Sequence, residues 1–376
     1  MSAPDSPPLE GLKQPSGPVP RPGIQEIAPY VGGESSAPGV NRIIKLSSNE
    51  GALGPSPKAI AAAQAQAAFM HRYPDGGNVV LRQALAQHHG LDIDRIVCGN
   101  GSDELIALLV RAYAGPGDEV LYSRHGFLMY PISALGVGAT PVAAPEVDYT
   151  ASVDQLLAAV TERTKLVFLA NPNNPTGTMI PAREVERLHA GLPPHTVLVL
   201  DSAYAEFVDS ADYDAGATLV HAAPNVAMLR TFSKIYALGG LRVGWAYAGA
   251  GIIDTLNRLR MPFSVSIMGQ AAAVAALEDR DHTALSLAHN TRWRDWTASE
   301  LTRLGLVVTP SACNFVLAHF PAERSADQAF DYLKARGIIA RKMAAYQLPD
   351  SLRITIGLED EMRLVVSALA AFMSGQ

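Results

Sequence analysis

Lys234 sits in the stretch Arg-Thr-Phe-Ser-Lys-Ile-Tyr-Ala-Leu-Gly-Gly-Leu-Arg-Val-Gly, residues 230–244. An apolar run, Val226–Leu229, leads into the hydroxyls of Thr231 and Ser233 and a group of glycines, with Arg242 eight residues after the lysine. A buried lysine titrates well below its free value of about 10.4, through desolvation and neighbouring cations. Its unprotonated amine can hold an aldehyde as a Schiff base and later carry a proton. The adjacent hydroxyls and arginine fork suit a phosphate. A lone lysine is ordinarily a solvated surface group, so the chemistry depends on what accompanies it.

Three other constellations do. Gly99-Asn100-Gly101-Ser102-Asp103-Glu104 follows an apolar run and opens a helical pattern. Glycines admit an anion to the backbone, and the free amides of a helix start point at it; the local alternative is a turn that needs glycine dihedrals. Asn171-Pro172-Asn173-Asn174-Pro175-Thr176-Gly177 comes directly after the run Leu166–Ala170. Ligands of open α/β sheets bind beyond the carboxyl ends of the strands, and two X-Pro steps restrict the loop that carries the Asn174 amide. Val197–Leu200 ends in Asp201-Ser202-Ala203-Tyr204. An acid there is costly unless it meets a cation or caps the next helix. The pyridinium nitrogen of pyridoxal phosphate is such a cation, and keeping it protonated makes the ring an electron sink. Tyr204 could reach the ring's phenolic oxygen. Four elements in this order, each at a strand end, describe an enzyme that uses pyridoxal phosphate.

On these residues the chain resembles the fold-type I, class I/II aminotransferases from about Ile24 to Phe372. Asn-Pro-Asn-Asn-Pro-Thr-Gly, Asp-Ser-Ala-Tyr and Ser-Lys carry that likeness. Ala28-Pro29-Tyr30-Val31, Arg72-Tyr73-Pro74, Gly101–Glu104 and Leu352–Gly357 narrow it to the histidinol-phosphate aminotransferase subfamily. The resemblance implies that Lys234 is the Schiff-base lysine, that Asp201 pairs with the pyridine nitrogen, and that Asn174 and Tyr204 hold the ring hydroxyl. It gives the cofactor phosphate to Gly101, the amides of Ser102 and Asp103, Thr231, Ser233 and Arg242. Tyr73 would reach the phosphate in a partner subunit, which implies a homodimer with shared sites. Phe127 stands where the subfamily usually stacks a tyrosine on the ring, so the stacking surface is kept and a hydroxyl is lost.

The implied reaction is ping-pong transamination between L-histidinol phosphate and 2-oxoglutarate (or glutamate in reverse), in histidine biosynthesis. Arg353 resembles the family's carboxylate-binding arginine; an arginine fork takes carboxylate or phosphate with similar geometry. Tyr30, Arg341 and Asn49 complete the expected substrate set, with Arg341 open to a second reading as a surface cation beside Lys342. An aromatic amino-acid aminotransferase and a decarboxylase of a phosphorylated amino acid such as threonine phosphate are the competing enzymes. A transcription regulator on this scaffold would need a basic helix-turn-helix, for which the segment before Ile24 leaves no room. His71, His125 and His221 are scattered and suggest local roles rather than a metal or a triad.

Positioning these groups requires alternating strands and helices. Short apolar runs recur at Ile96–Cys98, Glu119–Tyr122, Leu166–Ala170, Val197–Leu200, Val226–Leu229 and Val243–Ala248, with amphipathic stretches such as Asp103–Ala114 and Pro181–Ala190 between them. Unbroken apolar strands predict a parallel sheet covered on both faces. Helices are expected at Ala59–Met70 and Val79–His89, and a helical zone from Met268 to about Leu304. Strand (Cys313–Ala318), helix (Ala326–Arg336), strand (Leu352–Thr355) and helix (Glu359–Ala371) then follow. The expected architecture is α/β: a large domain with a mostly parallel central sheet (50–275) and a smaller α+β C-terminal domain (276–376). A lead-in (24–49) and a flexible arm with seven prolines in its first 22 residues (1–23) precede them.

The bulk properties agree with that plan. A length of 376 residues exceeds one ordinary core. A net charge of −6 gives no basic footprint for nucleic acid. No run approaches the roughly 18 apolar residues of a membrane span, and the N-terminus lacks a signal-peptide pattern. Two distant cysteines, Cys98 and Cys313, fit a reducing cytoplasm.

Overall fold

The computed structural model describes residues 17–37, 39–40 and 42–375. The proline-rich arm therefore lies largely outside the described residues. Seven strands form the main sheet: β1 (Ile96–Asn100), β2 (Glu119–Ser123), β3 (Thr140–Ala144), β4 (Thr164–Ala170), β5 (Val197–Asp201), β6 (Val226–Thr231) and β7 (Val243–Ala248). Their spatial order is β1-β7-β6-β5-β4-β2-β3. Side chains alternate between two cores: Leu166 and Phe168 join one, Val167 and Leu169 the other. Burial on both faces is what turns these strands into continuous apolar runs.

The sheet is mostly parallel, as expected, with one reversal. β7 runs antiparallel to both β1 and β6. It follows β6 through the Lys234 turn, a connection too short for a parallel crossover. Helix α1 (Gly101–Tyr113) starts immediately after β1, and α2 (Met129–Val137) follows β2. The long helical zone divides into α3 (Ile267–Glu278) and α4 (Arg280–Arg303). The break falls at Asp279, whose carboxylate accepts from Ser56 Oγ and, at 3.1 Å, from Lys58 Nζ.

A second sheet holds β8 (Val307–Thr309), β9 (Phe315–His319), β10 (Arg341–Lys342) and β11 (Ser351–Thr355), in the order β8-β9-β11-β10. It has its own core, including Trp293, Val316, Phe330, Leu352, Ile354 and Leu369. The lead-in joins this side, with Ile44–Lys45 pairing in parallel with Ile338–Ile339. Among the described residues no helix is long and apolar enough to cross a membrane.

Candidate active site

A cavity of about 270 Å³ opens at the carboxyl ends of β4, β5 and β6, closed from the other side by β11 and the lead-in. Lys234, Asn174, Asp201, Tyr204, Thr231, Ser233 and Arg242 all line it. So do Ser102 and Asp103 at the start of α1, and Phe127, Tyr30, Asn49, Arg341 and Arg353. Residues spread over more than three hundred positions thus meet at one place. Tyr73 does not line the cavity of its own chain; it is 82% exposed and stacks on Phe263 at 4.8 Å.

The lysine turn is held by its own backbone. Phe232 N–H donates to Val243 O, Leu238 N–H to Phe232 O, and Ala237 N–H to Lys234 O, each at 2.9–3.0 Å. Burial, with Arg353 and Arg242 nearby, pulls the Lys234 amine down to about 8, although Asp103 and Asp201 oppose the shift. Its Nζ lies 5.5 Å from the Tyr204 ring centroid. Thr231 Oγ1 donates to Ser233 Oγ at 3.0 Å and accepts from Ser233 N–H at 3.1 Å.

Asp201 ends β5 and is buried. Burial pushes its carboxyl up to about 6, against the hydrogen bonds that it accepts from Tyr130 Oη (2.7 Å) and Ala203 N–H (3.3 Å). The bond from Ala203 closes a local turn and is not a helix cap, since the next helical element, Ala205–Phe207, starts at Tyr204 without a side-chain cap. Tyr130 was not anticipated. It lies 71 residues away on α2 and stacks on Phe168 at 4.5 Å, and only the fold brings it to the carboxylate. Phe127, one turn earlier, meets Tyr130 edge-on at 6.0 Å.

The glycine turn before α1 is shaped by close approach. Gly101 has φ +77, and a Cβ there would strike the Arg242 guanidinium. A Cβ on Gly244 would strike the Ser102 amide nitrogen. Arg242 Nη2 donates to Asp103 Oδ2 at 2.8 Å and Nη1 to Gly239 O at 3.2 Å. Guanidinium, helix-start amides and the Thr231–Ser233 hydroxyls therefore converge on the cavity.

Arginine chemistry gathers on the opposite wall. Antiparallel register sets Arg341 directly across from Arg353. Arg353 is buried; its Nη1 donates to Asn174 Oδ1, Nη2 to Ser47 O at 3.0 Å, and Nε has no partner. Arg341 Nη2 donates to Val31 O at 2.6 Å, and its guanidinium carbon lies 5.9 Å from the Tyr30 ring centroid. Of its two sequence readings, the structure gives Arg341 a place in the cavity wall. Asn49 Nδ2 donates to Tyr204 Oη at 2.8 Å.

The three histidines have local partners. His125 Nδ1 meets Glu146 Oε2 at 2.7 Å, His221 Nε2 meets Tyr247 Oη at 2.7 Å, and His71 Nε2 accepts from Arg72 Nε at 3.4 Å. A buried amine, a buried acid, an anion cradle and two arginines on the far wall can bind a phosphorylated aldehyde cofactor and an anionic substrate side by side.

Comparison with known proteins identifies the family. The family model for aminotransferase class I and II matches residues 41–369. The chain is 59% identical to the histidinol-phosphate aminotransferase of Paramagnetospirillum magneticum, over 95% of this chain and 99% of that one. It is 58% identical to that of Rhodospirillum centenum, over 96% and 100% respectively. Among solved structures, histidinol-phosphate aminotransferase from Sinorhizobium meliloti in complex with pyridoxal-5'-phosphate superposes with a TM-score of 0.86 at 32% identity, over 94% of this chain and 97% of that one.

Proposed function

We propose, for a chain that belongs to the aminotransferase class I and II family, pyridoxal-phosphate-dependent transfer of an amino group between L-histidinol phosphate and 2-oxoglutarate. The observation that carries the reading is the pairing, in one cavity, of the Lys234–Asp201 couple with the facing Arg341–Arg353 pair.

The residues present fit the cofactor. Asp201 is an acid whose pKa is raised by burial, and a protonated ring nitrogen would give its carboxylate a cationic partner. Gly101 and Gly244 let the Arg242 guanidinium and the Ser102 amide approach, where any Cβ would strike them. When bound, pyridoxal phosphate supplies an aldehyde for the substrate amine and a ring that takes up the electron pair released at the substrate carbon. Lys234 moves the proton: with its amine near 8, a neutral nitrogen is accessible around neutral pH to take the substrate carbon's proton and return one. Asp201 holds the ring nitrogen cationic, and Tyr130 holds Asp201. Asn174 and Tyr204 hold the ring hydroxyl, while Phe127 covers the ring face without offering a hydrogen bond.

The amides of Ser102 and Asp103, the hydroxyls of Thr231 and Ser233, and Arg242 bind the cofactor phosphate. Arg353 forks a carboxylate of 2-oxoglutarate, and Arg341 with Tyr30 takes the phosphate of the amine donor. Tyr73 serves the cavity of a second copy in a cytoplasmic homodimer.

A single-turnover panel tests the assignment. L-Histidinol phosphate converts the aldehyde form of the loaded enzyme to its amine form, read as loss of the aldehyde-form absorption. Far faster conversion by phenylalanine or tyrosine would overturn the substrate, and carbon dioxide release from threonine phosphate would overturn the reaction class.

A further inference from the structure

Asn49 ends the lead-in and lines the cavity, yet it is 1% exposed and engaged inside the protein at every polar atom. Its backbone N–H donates to Thr355 Oγ1 at 3.0 Å, and its carbonyl accepts from Asn314 Nδ2 at 3.0 Å. Its side-chain Oδ1 accepts from Thr355 Oγ1 at 3.2 Å, and its Nδ2 donates to Tyr204 Oη at 2.8 Å. Asn49 has φ 57, a left-handed conformation that asparagine tolerates better than most residues.

The directions of these bonds follow from the partners available. Thr355 is buried, its Oγ1 accepts from the Asn49 backbone, and among the described residues the one acceptor its own hydrogen meets is the Asn49 side chain. The end of the amide that receives it is the oxygen, so the other end is the NH₂ group. An NH₂ group only donates, which makes the Tyr204 oxygen the acceptor. The phenol's own hydrogen is thereby left for a different acceptor, and Tyr204 borders the cavity. Thr355 does not line that cavity; it lies on β11 two residues beyond Arg353, on the same face of the strand.

We propose that Asn49 is a positioning residue for Tyr204, not a substrate ligand. Its amide, oriented by Thr355, keeps the phenol hydrogen turned into the cavity as a donor to the ring oxygen of the bound cofactor. The strand that carries the anion-binding Arg353 thus also orients the cofactor-facing phenol. The proposal rests on the reading in which Tyr204 meets the ring hydroxyl.

The test is the pH titration of the bound cofactor's visible absorption in the loaded enzyme. A donor to the ring oxygen favours its negative form, so losing that donor raises the midpoint. The charged or titratable groups around Tyr204 are Lys234, Arg353, Cys313 and Tyr346, all unchanged in the variants used. Tyr204→Phe raises the midpoint by about one pH unit. Asn49→Gly, which accommodates the left-handed backbone, and Thr355→Val each raise it by roughly half a unit. Thr355→Ser keeps the wild-type midpoint, and adding Asn49→Gly to Tyr204→Phe produces no further shift. A wild-type midpoint in both Asn49→Gly and Thr355→Val, with Tyr204→Phe still shifted, overturns the proposal but leaves the role of Tyr204 standing. An increased KM for L-histidinol phosphate in Asn49→Gly at an unmoved midpoint overturns it in favour of substrate binding. An unshifted Tyr204→Phe overturns the underlying reading and the proposal with it.

Discussion

Asp201 is kept at a cost that the apoprotein should reveal. Its folded-state pKa of about 6 lies above the ordinary 3.8, so folding favours the protonated carboxyl. Below pH 3.8 that contribution is fully present, and it is lost as pH rises through about 6. The loss amounts to up to about 3 kcal/mol in the absence of a cation. Asp201→Asn can retain the bond from Tyr130 without the charge, so its apoprotein should melt up to about 4 °C higher than wild type at pH 7. The two should coincide at pH 3.5, as calorimetry at both pH values would show. The loaded variant should lose at least about 100-fold in amino transfer if Asp201 has the proposed role of holding the ring cationic. Equal melting at pH 7 would mean that the carboxyl is not strained by burial. Asp201 was legible in the sequence because an acid closing an apolar strand needs a reason. Tyr130 was not, since nothing local distinguishes a tyrosine in a hydrophobic helix from one aimed at a carboxylate 71 residues away.

At the scale of elements, the cradle depends on how closely β7 approaches the start of α1. Gly244 lies in register with Gly99 of β1 and Thr231 of β6, and a methyl group there would drive into the Ser102 amide. Gly244→Ala should therefore cost roughly 1–3 kcal/mol in urea unfolding. It should also weaken cofactor binding by at least about tenfold if the displaced amide is, as proposed, a phosphate donor. Gly251→Ala is the control: it lies in the helix Ala250–Leu259 with open space around it and should be neutral or slightly stabilising. The runs that became β4, β5, β6 and β7 could be read because burial on two faces leaves a continuous apolar signature. The reversal of β7 could not, because that signature reports burial and carries no direction. Edge strand β3 escaped notice for the opposite reason: Thr140-Pro141-Val142-Ala143-Ala144 is short and proline-bearing, the composition that edges tolerate. Asp279 was hidden inside a helical zone because its role, anchoring Ser56 and Lys58, is set by residues more than two hundred positions away.

At the scale of the whole molecule, the exposed Tyr73–Phe263 stack lies outside the lining of the cavity of its own chain, and Met70 and Met261, near it in sequence, are exposed as well. If a second copy covers it and receives Tyr73 at its own cofactor phosphate, each complete site draws residues from two chains. Lys234→Ala removes the amine from a chain's own site, whereas Tyr73→Asp damages the site of its partner. Each variant alone should be inactive. When the two are unfolded together and refolded in equal amounts, half of the dimers formed at random are hybrids. In a hybrid, the site with an intact Lys234 receives its Tyr73 from the Lys234→Ala chain, so one of its two sites is whole. Activity should recover to about a quarter of wild type. If Tyr73 acted only within its own chain, Lys234 and Tyr73 would never be intact in one site and the mixture would stay inactive. Sedimentation of each variant alone provides the companion measurement, since recovery is meaningful only if both sediment as dimers. A mixture of dimers without recovered activity would remove Tyr73 from the shared site.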